Sequence, residues 1–129
     1  LEIEKQIVCP WIGGTIDLIA RITEPDSCNS SVFVVDFKTS TKISIEYLVQ
    51  TYGYMWSVNW YRRFVDMSVY PQIDGIGIIR VDKKSKRYED LFIRNDDPYM
   101  INIHNAFVSC LDWFYYQKHL SYIIKDRKM

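Results

Sequence analysis

Apolar and polar positions run at two periods along this chain, first the short one and then the helical one. Glu2-Ile3-Glu4-Lys5-Gln6-Ile7-Val8-Cys9 alternates in part, which predicts a strand. Pro10-Trp11-Ile12-Gly13-Gly14 reads as a turn whose two glycines permit unusual backbone angles. Thr15 to Ile22 predicts a second strand, paired with the first as an antiparallel hairpin. On it Ile16, Leu18, Ala20 and Ile22 share one face, and Asp17, Ile19 and Arg21 share the other. The polar stretch Thr23 to Ser31, with Pro25, predicts a loop. Val32 to Lys38 predicts a third strand, apolar on both faces until Asp36 and so central and covered on both sides. Asp36 and Lys38, two positions apart, emerge on one face.

The period then lengthens. Ser44 is a candidate cap for a helix from Ile45 to about Phe64, with Glu46 near its positive end. Tyr47, Gln50, Tyr54, Ser57 and Tyr61 fall along one side of it. Pro71 to Asp74 interrupts the pattern. Gly75 to Val81 predicts a fourth strand, Asp82 to Lys86 a turn, and Arg87 to Ile93 a fifth strand. Asp97 as cap and Pro98 as first residue open a last helix that runs to about Ile124. Its apolar stripe is Ile103, Ala106, Phe107, Cys110, Leu111 and Phe114. The order is β-β-β-α-β-β-α. It implies one domain over residues 1–129 of the α/β (α+β) class, a mixed sheet flanked by helices.

Composition narrows the partners. With 48% hydrophobic and 25% charged residues the chain is globular and has the material for a core. Sixteen basic residues balance sixteen acidic ones, so bulk charge does not hold it on nucleic acid, although a local basic groove remains open. The three cysteines, Cys9, Cys28 and Cys110, form no CxxC and lack a fourth member. They read as free thiols in a reducing, intracellular compartment, and no iron–sulfur cluster is expected. Residues 1–129 carry no signal-peptide pattern and no apolar run long enough to span a membrane, so a soluble protein is expected.

Candidate chemistry lies between residues 13 and 40. Each of two apolar runs carries an aspartate, Asp17 and Asp36, and burying an unpaired carboxylate is costly. If the second and third strands are neighbours, the two acids meet and offer hard oxygen ligands to magnesium or manganese. Lys38 on the same face would orient or help deprotonate an attacking water, or neutralise a transferring phosphoryl group. Each residue alone is commonplace: a solvated strand end, a hairpin cap, a local ion pair. The basic tip Lys83, Lys84, Lys86 and Arg87 reads equally as a solvated turn or a phosphate contact.

In combination these motifs resemble the PD-(D/E)xK nuclease superfamily, in its RecB-like and phage-exonuclease-like branch. That branch shows a Gly-x-x-Asp strand, an apolar strand ending in (Asp/Glu)-x-Lys-Thr-Ser, and a helix with Gln-x-x-x-Tyr. Here these are Gly14-Thr15-Ile16-Asp17, Asp36-Phe37-Lys38-Thr39-Ser40, and Gln50 through Tyr54. The resemblance spans residues 13–54 and implies a restriction-endonuclease-like fold. It implies Asp17, Asp36 and the Phe37 carbonyl as ligands of Mg2+ or Mn2+. It also implies Lys38 serving the attacking water, Thr39 and Ser40 bonding phosphate, and Gln50 and Tyr54 positioning the strand being cut. The activity implied is DNA hydrolysis, as an exonuclease in replication, recombination or repair, alone or within a larger nuclease or repair assembly.

The branch also carries a Glu or His from a helix ahead of the first strand. This sequence opens on the strand at Leu1, and His104 and His119 come too late to replace that residue. Either the residue lies upstream or the site is incomplete. In the second case the chain is a nucleic-acid-binding or assembly module. A third reading, an α/β domain in which Asp17 and Lys38 form a plain ion pair, leaves Gln50 and Tyr54 without a role.

Overall fold

The structure is a computed structural model that describes residues 2–8, 13–23 and 29–127, with side chains from residue 16 onward. Cys9, Cys28 and most of the expected 10–14 turn and 23–31 loop lie outside the described residues. Five strands, β1 (Glu2–Val8), β2 (Gly13–Thr23), β3 (Ser30–Lys38), β4 (Gly75–Val81) and β5 (Tyr88–Arg94), lie in that spatial order in one sheet. Helix α1 (Ile45–Phe64) connects β3 to β4, and α2 (Met100–Arg127) ends the described chain. The β1–β2, β2–β3 and β4–β5 pairs are antiparallel, and β3–β4 is parallel. The parallel pair exists because α1 carries the chain back across the sheet before β4 begins.

Strand alternation sorts the core. Val32, Val34 and Ile76 pack with Tyr52, Met55 and Val58 of α1 and with Met100, Ile103 and Phe107 of α2. The other face gathers Ala20, Phe33 and Val35 against Leu18, Ile79 and Phe92. Both helices therefore lie on one face, and among the described residues none covers the other. This corrects the expectation of a sheet flanked by helices. Two rings close the uncovered face instead. Phe33 and Phe92 meet edge-on, with centroids 5.2 Å apart, over Gly75 and Gly77. A Cβ on Gly77 would stand 2.4 Å from the Phe92 ring, so that ring needs the glycine beneath it. This cover keeps Val35 buried without a helix.

Several boundaries move. Gly13 and Gly14 pair with Val8 and Ile7, so they extend β2 and are not part of a turn. Among the described residues no glycine has positive φ. Ser44 holds the cap position of α1 with extended backbone angles, but its buried hydroxyl makes no cap bond. The first turn closes through the Tyr47 N–H on the Ser44 carbonyl at 3.1 Å. Pro98 is not the first residue of α2. Asp97 Oδ1 accepts the Tyr99 N–H at 2.8 Å in a turn, and the helix begins after it at Met100.

The apolar stripe of α2 is shorter than its pattern suggests. Ile103 and Phe107 are buried, Ala106 and Leu111 are half-buried, and Cys110 and Phe114 are exposed. The 28-residue helix outruns the 20-residue α1 on which it packs, so the side chains from Asp112 to Arg127 have no layer to cover them. Among the described residues no helix is long and apolar enough to cross a membrane.

Candidate functional site

The end of β3 is where the core turns polar. Val32 and Val34 point toward α1, and alternation sends Asp36 and Lys38 to the same side, just beyond the apolar contacts. Asp36 is 5% exposed. Leu18 of β2 pairs with Val35. Asp17 and Asp36 follow that last pair on their two strands, and their carboxyls come within hydrogen-bond reach of each other. Acids brought this close are destabilising when both are charged, and here Asp36 is buried while Asp17 is half-buried.

The hydrogen bonds show how this pair is held. Asp17 Oδ2 accepts the Phe37 N–H at 2.9 Å, which ties β2 to the end of β3. Lys38 Nζ lies 2.9 Å from Asp36 Oδ2, yet that buried oxygen makes no hydrogen bond of good geometry. The Asp36 carboxyl is raised to about 6. Burial is the largest cause and the hydrogen bond with Asp17 comes next, while Lys38 pulls the other way. At neutral pH the ionised Asp36 carboxylate is therefore held against its surroundings, with Lys38 between it and the next polar layer.

That layer belongs to α1. Lys38 Nζ donates to Gln50 Oε1 at 2.9 Å, and Gln50 Nε2 donates to the Tyr54 hydroxyl at 3.2 Å. Gln50 and Tyr54 stand one turn apart, as their spacing of four requires. The Tyr54 hydroxyl is raised, first by burial and then by the Asp36 charge. The sequence motifs thus converge on one place, with Asp17, Asp36, Lys38, Gln50 and Tyr54 in continuous contact.

Two residues join them that the sequence motifs do not name. The Tyr47 ring lies under Lys38 Nζ, 4.9 Å from centroid to nitrogen. Tyr47 shares the stripe of Gln50 and Tyr54, so periodicity carries its signal. Arg80 lies opposite Lys38 in the parallel register. Its Nη1 donates to the Ser40 carbonyl at 2.9 Å, and its Nε pairs with Glu89 at 3.1 Å. Arg80 therefore fixes the turn that follows the Asp-x-Lys segment. Only the pairing of β3 with β4 reveals it.

The remaining expected residues are less engaged. Thr39 is exposed, and Phe37 points its ring outward, 48% exposed. The Ser40 hydroxyl donates to the Lys42 carbonyl at 2.8 Å, so it shapes the turn. His104 sits on the other side of α1. Its Nδ1 is 2.5 Å from the Tyr52 hydroxyl, and both line a cleft of about 470 Å³ with Met55, Asn59 and Asn95. His119 meets Tyr115 edge-on on the exposed part of α2. Neither histidine reaches the carboxylates.

A divalent metal suits what is present. Two neighbouring carboxyls, one with a buried oxygen whose only close polar partner is the Lys38 ammonium at 2.9 Å, are hard oxygen donors with capacity for a further cation. Among the described residues no third His, Cys, Asp or Glu joins them. Magnesium is commonly bound by one or two carboxylates, with water and substrate phosphate completing its shell. The donor set therefore fits magnesium or manganese. No protein-family model matches this chain, and neither does any curated protein.

Proposed function

We propose that this chain is a magnesium- or manganese-dependent deoxyribonuclease of the PD-(D/E)xK type, on a restriction-endonuclease-like fold. The observation that supports it most is the buried Asp36, set against Asp17 and ion-paired with Lys38 at 2.9 Å. A fold has little reason to bury one carboxyl against a second, half-buried one unless something cationic is to come between them.

Asp17 and Asp36, with the Phe37 carbonyl, would hold the metal. When bound, it supplies Lewis-acid polarisation of the phosphate and lowers the pKa of nearby water. Lys38 is the group that orients the attacking water and offsets charge as phosphorus gains its fifth oxygen. Gln50 and the Tyr47 ring hold the ammonium in reach of that position. Tyr54 and Gln50 line the approach of the strand, and the exposed Thr39 hydroxyl is free to meet a phosphate oxygen. Ser40 contributes through its backbone, since its hydroxyl is used within the turn. The net reaction forms a bond from water oxygen to phosphorus and breaks the bond to the departing sugar oxygen. Action from strand ends, in replication, recombination or repair, belongs to this proposal.

That no third carboxylate or histidine joins Asp17 and Asp36 among the described residues supports a second reading, a nucleic-acid-binding or assembly module with an incomplete centre. One assay separates them. Labelled single- and double-stranded DNA, with free or blocked ends, is incubated with the chain in magnesium, manganese or chelator. Metal-dependent cleavage that Lys38→Ala abolishes is expected. DNA that stays intact in every metal, or cleavage indifferent to Lys38→Ala, contradicts the nuclease.

A further inference from the structure

The parallel pairing of β3 and β4 brings a second feature to the edge that holds the carboxylates. Lys38 lies beside Arg80, and both strands run toward the same end of the sheet. One residue beyond Arg80, β4 ends at Val81 and the chain turns through residues 82–87. That turn contains Lys83, Lys84, Lys86 and Arg87, four of the sixteen basic residues within five positions. At about 3.3 Å per residue, the tip begins roughly 10 Å past the Lys38–Arg80 pair. The chain has no net charge, so this is an asymmetry: positive charge is concentrated next to the candidate site.

The turn is ordered and its own acid is occupied within it. The Asp82 N–H donates to the Arg87 carbonyl and the Lys86 N–H to the Asp82 carbonyl, each at 2.9 Å. Asp82 Oδ1 accepts the Lys84 N–H at 2.9 Å, and bonds to these turn amides hold its carboxyl below the usual range. Lys86 takes the left-handed conformation, φ 58°, that closes the turn. Glu89 is committed to Arg80, and Asp90 is the nearest further acid along β5. All four basic side chains are exposed, and among the described residues none is in a salt bridge. A turn closed by its own backbone bonds, which spends its acid on backbone amides and leaves four exposed cations without a salt bridge among the described residues, presents an anion-binding surface.

We propose that this hairpin tip is the phosphate-backbone clamp of the site, gripping a nucleic-acid strand a few nucleotides from the bond presented to Asp17, Asp36 and Lys38. The proposal rests on the nuclease reading for its choice of substrate. Its contacts go to phosphates and carry no sequence information. Its charge sits on a β-hairpin anchored through Arg80 to the turn after β3, so the grip and the carboxylates keep a constant spacing.

The test is equilibrium binding of the full chain to a labelled DNA oligonucleotide in chelator, by fluorescence anisotropy across a salt series. The variant Lys83→Gln/Lys84→Gln/Lys86→Gln/Arg87→Gln keeps Asp82 and the backbone bonds of the turn. It should flatten the log-log salt dependence by roughly 3 for a single strand, at about 0.7 per phosphate contact. Binding at about 0.1 M salt should weaken on the order of 10- to 100-fold, equally for unrelated sequences. The variant Lys118→Gln/Lys125→Gln, with exposed cations on the distal part of α2, should bind as the native chain does. An unchanged salt slope in the quadruple variant overturns the proposal, as does an equal loss in the α2 variant. Because chelator is present, the result is independent of cleavage. A lost grip with no nuclease activity in the native chain would retain the clamp and reject the enzyme. Native cleavage with an unaffected slope would do the reverse.

Discussion

Two aspartates stand at opposite ends of β3, and their surroundings differ. Asp74 lies beside the start of the strand, where its Oδ2 accepts the Val32 N–H at 2.8 Å. Its own N–H donates to the Val32 carbonyl at 2.7 Å, and its carbonyl accepts the Asn95 N–H at 2.7 Å. Every one of these partners is backbone, and the result is a joint between β3, β4 and the segment before α2. Asp36, at the other end, meets another carboxyl, a lysine and the edge of the core, with a buried oxygen that makes no hydrogen bond. An acid that holds the fold together is matched by the fold. Asp36 is matched only by the Lys38 ammonium, and under the proposed function a divalent cation would complete its partners.

The comparison breaks most sharply in catalysis. Asp36→Asn and Lys38→Ala should each lower DNA cleavage by on the order of 10²–10³-fold or more, the scale for losing a group that meets developing charge. On the proposed nuclease reading Asp74→Asn should leave the rate of the folded chain within about threefold, because Asp74 is engaged in backbone bonds at the other end of β3. Rates measured at matched folded fraction separate the two. Equal losses at both ends would dissolve the distinction.

Stability should reverse the ranking. Asp74→Ala leaves the Val32 N–H without its partner, which costs about 1.5–3 kcal/mol for a bond to a charged group. Urea unfolding reads this directly. Asp36→Asn should stabilise the protein at pH 7.5 in chelator by on the order of 1–2 kcal/mol. The sign follows from the raised carboxyl. Between the unfolded value near 4 and the folded value of about 6, the native state holds more protons than the unfolded state. Stability therefore falls as pH rises through that window, and the native chain and the Asn variant should converge below it. Divalent metal should reverse the order of the two at neutral pH.

The smallest effect concerns Lys38. Tyr47→Leu removes an attraction of about 0.5–1 kcal/mol under the ammonium and should slow cleavage several-fold with little change in unfolding. Tyr47→Phe should restore the rate, because the ring and not the hydroxyl makes the contact.

A feature of this fold is legible in the sequence to the extent that it is local. Strand alternation alone puts Asp36 and Lys38 on one face, and helical spacing puts Gln50 one turn from Tyr54. Both arrangements stand, because each belongs to a single element. The bounds of α1 and β4 are legible for the same reason. What strand pairing decides is hidden. Arg80 matters because it lies across from Lys38, and the basic tip matters because β4 is parallel to β3. The one-sided placement of the helices is hidden too, since Phe33 and Phe92 folding over glycines reads in sequence like any other covered strand. The stripe of α2 misleads because periodicity reports a face and says nothing of where the neighbouring layer stops. Phe114 continues the stripe and is 70% exposed.

The central claim is that the neighbouring carboxyls of Asp17 and Asp36 are a metal site. Calorimetric titration of the full chain with manganese at pH 7.5 tests it most directly. A saturable isotherm of one or two sites is predicted, lost in Asp36→Asn and in Asp17→Asn and unchanged in Asp74→Asn. Absence of binding by the native chain, or an isotherm that survives both substitutions at the β2–β3 end, would contradict the account.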